Sequence, residues 1–321
     1  MSLFDDFEPE ANAGPEVLGE ALTEVEFEEA VPSGAVSYYV ASISYIGSEF
    51  HGVAYQSSQR TVVGVLQLAL ERSLRSTIEM VVAGRTDAGV HAFSQIVSFS
   101  GPTHKAGLDG LYQSISRQLP DDVSLNWIGL TDLEFSARFS AKYRHYLYRL
   151  EPGVDSDAVW ARRAWQIPNS IDMASMRSAS YVLIGEHDFS GFCKKPEVRS
   201  HSVRRVLDVR VTERGRFVDF EIWANAFCHQ MVRGIVGGLV EVSTGRLSVA
   251  DFAQMVLGEG TKRRSPAPAD GLYLVNVGYE PFKLRPYADP FEVLVGEVPA
   301  AVYAISSCLE RAGRVGQKSN R

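Results

Sequence analysis

Between Val36 and Leu119 the apolar residues change period from two to about 3.6 and back, which restricts this stretch to a sheet covered by helices. Ser37 to Tyr45 sets Tyr39, Ala41, Ile43 and Tyr45 on one side of a strand, with Ser42 and Ser44 opposite. Ile46-Gly47-Ser48 ends it, and Thr61 opens a helix in which Val63, Leu66, Leu70 and Leu74 recur at helical spacing. Ile78 to Ala83 reads as a second strand leading into a glycine-flanked loop. Gln95 to Ser100 reads as a third, and Leu111, Ile115 and Leu119 mark a second helix.

A second unit of similar style follows. Tyr143 to Leu150 reads as a strand and Met173 to Leu183 as a helix. Arg205 to Val211 and Phe217 to Trp223 read as paired strands joined by a turn at Thr212 to Gly215. Phe227 to Val240 is expected to be a long apolar helix, and Gly271 to Tyr279 a closing strand. No tandem sequence repeat is visible. The expected fold class is α+β: two similar subdomains with antiparallel sheets covered by helices, and an active-site cleft between them. The boundaries are 1–34 for an acidic, disordered extension, 35–133 and 134–280 for the two subdomains, and 281–321 for a tail with no strong signal.

Charge matters once it is divided. The chain of 321 residues carries a net −7, yet ten of its 39 acidic residues lie in 1–34, which has no Lys or Arg. The remaining 29 face 32 basic residues, so a mildly basic body of +3 follows an acidic leader and a polyanionic partner is not excluded. No apolar run approaches the ~18 residues that span a bilayer, and the first residues lack a secretory pattern. Three widely spaced cysteines, Cys193, Cys228 and Cys308, fit neither a structural zinc nor a disulfide framework. A cytoplasmic location with no membrane partner is the expectation.

Cofactor motifs are missing from the sequence: it has no Gly-x-Gly-x-x-Gly, no P-loop, no His-Glu-x-x-His and no Gly-x-Ser-x-Gly elbow. No two of the seven histidines have metal-ligand spacing on one helix face, so the expected metal is none and the chemistry should come from side chains alone. The densest signal is Gly84-Arg85-Thr86-Asp87-Ala88-Gly89-Val90-His91, between two expected strands. Two glycines bracket residues that need close backbone approach, and a cation and a hydroxyl beside Asp87 favour an oriented carboxylate. That is what a carboxylate nucleophile requires. Spacing alone equally describes an Asx-turn with a surface arginine. Arg233 lies among Met231, Val232, Ile235 and Val236, where an unpaired guanidinium is costly, so it either pairs with a carboxylate or reaches out to solvent.

The octapeptide Gly84 to His91 resembles the signature loop of the TruA family, the tRNA pseudouridine synthases of the anticodon arm. Further blocks resemble the family in order: Ala137-Arg-Phe-Ser-Ala141 with Arg144-His-Tyr146-Leu-Tyr148, Gly185-Glu-His-Asp-Phe-Ser190, Asn225-Ala-Phe227, Met231 to Gly237, and Gly271 to Leu274. The likeness runs from about Tyr38 to Tyr279. It implies that Asp87 is the nucleophile of uridine isomerisation. It also implies that Tyr146 stacks on the target base and assists proton removal from C5, and that Arg233 pairs with Asp87. Arg85 would assist extrusion of the nucleotide, with Thr86, His91, Gln56 and Arg138 completing the substrate-binding set.

The resemblance further implies no metal or organic cofactor, tRNA as partner, uridines 38 to 40 as targets, and a homodimer in which one subunit docks the tRNA elbow while the other reacts. Basic stretches at Lys194-Lys195, Arg199 to Arg205 and Lys262 to Arg264 would follow phosphates. The chain departs from the family at Gly52-Val53-Ala54-Tyr55-Gln56, where a Trp is usual at the Val53 position and a basic residue is common at Tyr55. That loss prompts one alternative, a non-catalytic RNA-binding protein or tRNA-folding chaperone on the same fold; a second alternative is a synthase with another RNA target. The Asp87, Tyr146 and Arg233 trio argues against the first, because binding alone does not require it.

Overall fold

The alternation from Ser37 to Tyr45 is realised as β1 (Val36–Tyr45), whose residues from Tyr39 to Ile43 are buried. In the computed structural model, which describes residues 36–154, 157–168, 170–194, 202–258 and 265–280, Thr61 caps α1 (Val62–Leu74) by accepting from the Gly64 amide. Arg75, left-handed at φ 52°, stops it. The order continues with β2 (Met80–Val82), β3 (His91–Pro102), α2 (Gly107–Ser116), β4 (Val123–Leu130), β5 (Tyr143–Pro152) and β6 (Trp165–Ile167). Then come α3 (Met173–Tyr181), β7 (Gly185–Asp188), β8 (Val203–Arg214), β9 (Phe217–Ala224), α4 (Met231–Ser243), α5 (Val249–Val256) and β10 (Leu272–Gly278). None of these helices is long and apolar enough to cross a membrane. The leader, the tail beyond 280 and the basic stretches at 195–201 and 259–264 lie outside the described residues.

The expected two sheets are one. Its path runs β4-β1-β3-β10-β5-β9-β8-β7, with β2 on β3 and β6 on β5. The join is made by β10, the last strand, which enters between the halves. It pairs parallel with β3 (Tyr273 with His91, Leu274 with Ala92) and antiparallel with β5. The boundary expected at 133/134 falls in the connection between β4 and β5, but the sheet does not break there. The helix expected from Phe227 starts only at Met231, because Gln230 takes a left-handed conformation at φ 63° that no helix continues through. The turn expected at 212–215 shifts: β8 runs to Arg214, opposite Phe217, and Gly215 at φ 60° with Arg216 makes a two-residue hairpin loop.

Apolar and charged residues alternate along β9. Val218, Phe220 and Ile222 join the core, while Asp219 and Glu221 point to the opposite face. There Arg149 on β5 grips Asp219 with two bonds, Nε to Oδ1 at 2.9 Å and Nη2 to Oδ2 at 2.7 Å. Its guanidinium lies 4.7 Å from the Phe217 ring and 5.4 Å from that of Trp160. Arg214 reaches the same carboxylate at 3.2 Å, and His145 bonds Glu221 at 3.1 Å. Truncating one partner of such a pair leaves an unbalanced charge inside. Asp219→Ala is therefore expected to lower unfolding free energy by about 3–5 kcal/mol, read as a shifted urea midpoint.

His91 is also locked inside. Its Nδ1 accepts from the Gly47 amide at 3.1 Å, and its Nε2–H faces the carbonyls of Arg162 and Asp270, each at 3.0 Å. A proton on Nδ1 would set two N–H groups against each other. Burial lowers the pKa of His91, and it does the same to His145 despite the bond to Glu221. Both folded values lie below the unfolded value of about 6.5, so the unfolded chain takes up protons that the native state refuses. Stability from these groups is full above about pH 7 and is lost as pH falls from about 6.5 through the lowered folded values. Melting temperature should drop as pH is lowered from about 7 to about 5, and His145→Gln should flatten that slope.

Candidate active site

The loop between β2 and β3 is held by its main chain. Gln95, fully buried on β3, donates from Nε2 to the Gly84 carbonyl at 2.7 Å and accepts from the Gly84 amide at 3.3 Å. The Val53 amide donates to the Thr86 carbonyl at 3.2 Å, and the Gly89 amide to the Phe50 carbonyl at 3.3 Å. Gly52 makes this approach possible: at φ 93°, a Cβ there would stand 2.9 Å from the Thr86 oxygen. The Thr86 hydroxyl bonds that of Tyr45 at 2.8 Å, in a setting where burial pushes the Tyr45 hydroxyl up to about 12. Asp87 is left at the turn, partly exposed, with its carboxylate facing away from the sheet's core.

What the carboxylate faces is the start of α4. Arg233 donates from Nη1 to Asp87 Oδ2 at 2.8 Å, and from Nε to the Ala267 carbonyl at 2.7 Å. The two residues are 146 positions apart in the chain. Beside Arg233, α4 packs against the turn after β7: a Cβ on Gly234 would stand 2.2 Å from the Phe192 carbonyl oxygen. On the other side of the carboxylate, His229 Nε2 lies 3.2 Å from Oδ1.

These groups line a cleft of about 740 Å³ that draws on both halves of the chain. Five arginines border it, Arg85, Arg138, Arg144, Arg204 and Arg233, against one carboxylate, Asp87. Arg144 is spent on structure: it donates to the carbonyls of Ala83, Arg138, Ala141 and Asn225, tying the loop to β5 and to the approach to α4. Tyr146 lines the cleft with its ring edge-on to Phe227 at 4.9 Å, and its hydroxyl lies beside Gly84. Burial first, then the neighbouring Tyr45, pushes that hydroxyl well above the ordinary tyrosine value, so it stays protonated at neutral pH. A neutral phenol offers a ring to stack on and a hydroxyl that can donate or accept a hydrogen bond.

The structure brings Asp87, Tyr146, Arg233, Arg85, Thr86 and Arg138 to one cleft, with Arg85 and Arg138 exposed at its border. Two expected site residues lie elsewhere. His91 is 2% exposed, with both ring nitrogens engaged by backbone groups at the loop's exit. Gln56 lines a separate groove along α1 and bonds the His51 carbonyl. Val53 is fully buried and contributes a backbone amide, while Tyr55 is 63% exposed. Sequence reasoning missed His229, Arg144 and Gln95. No local signal marks His229, because the left-handed turn at Gln230 takes it off the α4 spiral.

Known proteins fit this arrangement. The family model for tRNA pseudouridine synthase matches residues 179–280, which hold α4 and Arg233. The tRNA pseudouridine synthase A of Methylacidiphilum infernorum is 38% identical over 251 residues, covering 77% of this chain and 97% of that one. The Bordetella avium protein of the same name is 36% identical, covering 74% and 90%, and that of Geobacillus kaustophilus is 35% identical, covering 74% and 93%. The chain belongs to the tRNA pseudouridine synthase A family and is an isomerase.

The loop's grip can be tested through Gln95. Gln95→Leu removes both bonds to Gly84 and strands two backbone groups, at about 1–3 kcal/mol each. We expect a lowered denaturation midpoint and a larger fall in turnover than in tRNA affinity. Unchanged turnover would show that the loop holds Asp87 without Gln95.

Proposed function

We propose that this chain isomerises uridine to pseudouridine at positions 38 to 40 of the tRNA anticodon arm, with Asp87 as the nucleophile. The observation that carries the reading is the Asp87 carboxylate, ion-paired to Arg233 inside a cleft bordered by five arginines. A carboxylate held by a cation and open to a cavity is poised to attack, and surplus guanidinium charge suits the phosphates on either side of a nucleotide. The target positions rest on the resemblance of the Gly84 to His91 loop and its companion blocks to the family that modifies them.

A uridine in a stem must leave the stack to reach Asp87. Arg85, exposed and adjacent to the nucleophile, is placed to support that extrusion. Tyr146 offers its ring to the flipped base. Asp87 then engages the nucleotide, the bond from N1 to C1′ breaks, uracil turns within the cleft, and C5 bonds to C1′. The C5 proton passes to water, with the Tyr146 hydroxyl assisting, and N1 takes one from water, so atoms and charge balance with no redox partner. Tyr146 is placed to stack on the base and, through its hydroxyl, to assist removal of the C5 proton. A cytoplasmic homodimer, with one subunit docking the tRNA elbow, belongs to the same reading.

Pseudouridine mapping on an unmodified tRNA transcript with uridines at 38 to 40 tests it. The wild-type protein should modify those positions, and Asp87→Asn should be slower by at least about 10³-fold while still binding tRNA. Modification elsewhere in the transcript would overturn the target assignment. Equal rates for the two proteins would overturn the nucleophile.

A further inference from the structure

Both oxygens of the Asp87 carboxylate meet a nitrogen, and both nitrogens come from one short stretch of chain. Arg233 donates a hydrogen bond to Oδ2, and His229 Nε2 stands 3.2 Å from Oδ1, within ion-pair distance. The two partners differ in freedom. The Arg233 side chain is 15% exposed and is also tied to the Ala267 carbonyl, whereas that of His229 is 53% exposed and opens onto the cleft.

The backbone around His229 is arranged to keep it there. Gln230 adopts the left-handed region at φ 63°, which costs a residue other than glycine about 1–3 kcal/mol. Neighbouring bonds hold this turn: the Lys194 amide to the His229 carbonyl at 2.9 Å, the Met231 amide to the Cys228 carbonyl at 3.0 Å, and the Gly234 amide to the Gln230 carbonyl at 2.8 Å. Had the helix run straight back from Met231, His229 would follow its spiral and not a reversed path. Strain maintained at a cleft, with a side chain delivered to the nucleophile, is a functional arrangement.

Resting on the reading of Asp87 as nucleophile, we propose that His229 is a positioning residue that holds Oδ1 through its Nε2–H. One ion pair leaves a carboxylate free to turn about its Cβ–Cγ bond. A second donor on the other oxygen fixes that rotation and presents a defined lone pair to the incoming nucleotide. His229 thus acts on the chemical step, through Asp87, and not on the affinity for RNA.

Single-turnover modification of a tRNA transcript, with the dissociation constant measured separately, tests this on the full chain. The variants are His229→Ala, His229→Phe and His229→Gln, the last retaining an N–H donor. Alanine and phenylalanine should each slow the chemical step by about 10- to 100-fold, the worth of one hydrogen bond to a charged group, with the dissociation constant within about twofold. Glutamine should recover most of the rate. Unchanged rates for alanine and phenylalanine would overturn the proposal, as would a loss confined to tRNA affinity, or a glutamine variant as slow as alanine. Should the alanine variant melt early, the glutamine and phenylalanine pair decides, since both fill the site and only one can donate. An inactive wild-type protein on the same transcript would count against the proposed function instead, so the two failures are distinguishable.

Discussion

The ion pair between Asp87 and Arg233 is the contact on which the remainder converges. It joins a loop of the first half to a helix of the second, across 146 residues of chain. A single bond of that kind does not bring two halves together; the sheet does. Where β10 enters between β3 and β5, the loop before β3 and the entrance to α4 are held on one continuous frame. The carboxylate and guanidinium therefore meet with little freedom left to lose, which is what makes a charged contact at a partly exposed site worth having.

Around that pair the structure divides its polar groups between two tasks. Gln95, Arg144 and His91 bond backbone atoms and hold the walls of the cleft. Arg85 and Arg138 stay exposed at its border, and Arg204 lines it. Charge balance follows the same division. The face of β5 and β9 away from the helices pairs Arg149 and Arg214 with Asp219 internally, while the cleft keeps an excess of guanidinium.

Local structure was well written in the sequence. Thr61 is a helix cap in pattern and in fact, and the alternation from Ser37 to Tyr45 is a strand with its apolar side inside. The Arg233 argument also held, because an arginine among apolar helical residues has few physical options and pairing with Asp87 is one of them. Legibility failed where the cause is nonlocal. The union of the sheets rests on two residue pairings between β3 and β10, which no periodicity announces. The late start of α4 rests on the conformation of Gln230, a residue with no turn signal of its own. His91 was placed at the substrate because it closes a conspicuous motif, yet its neighbours Gly47, Arg162 and Asp270 claim it. His229 is hidden because the expected helix from Phe227 encloses it, whereas α4 starts only at Met231.

The loop at Asp87 is gripped through amides and carbonyls at Val53, Phe50 and Gly84, and glycine is needed where the backbones touch at Gly52. Such a grip is indifferent to most side chains around it. The exposed surface at Tyr55 can change chemistry while the Asp87 carboxylate keeps its place. That surface and the loop are thus mechanically decoupled, and side-chain variation there can accumulate without moving the carboxylate away from Arg233.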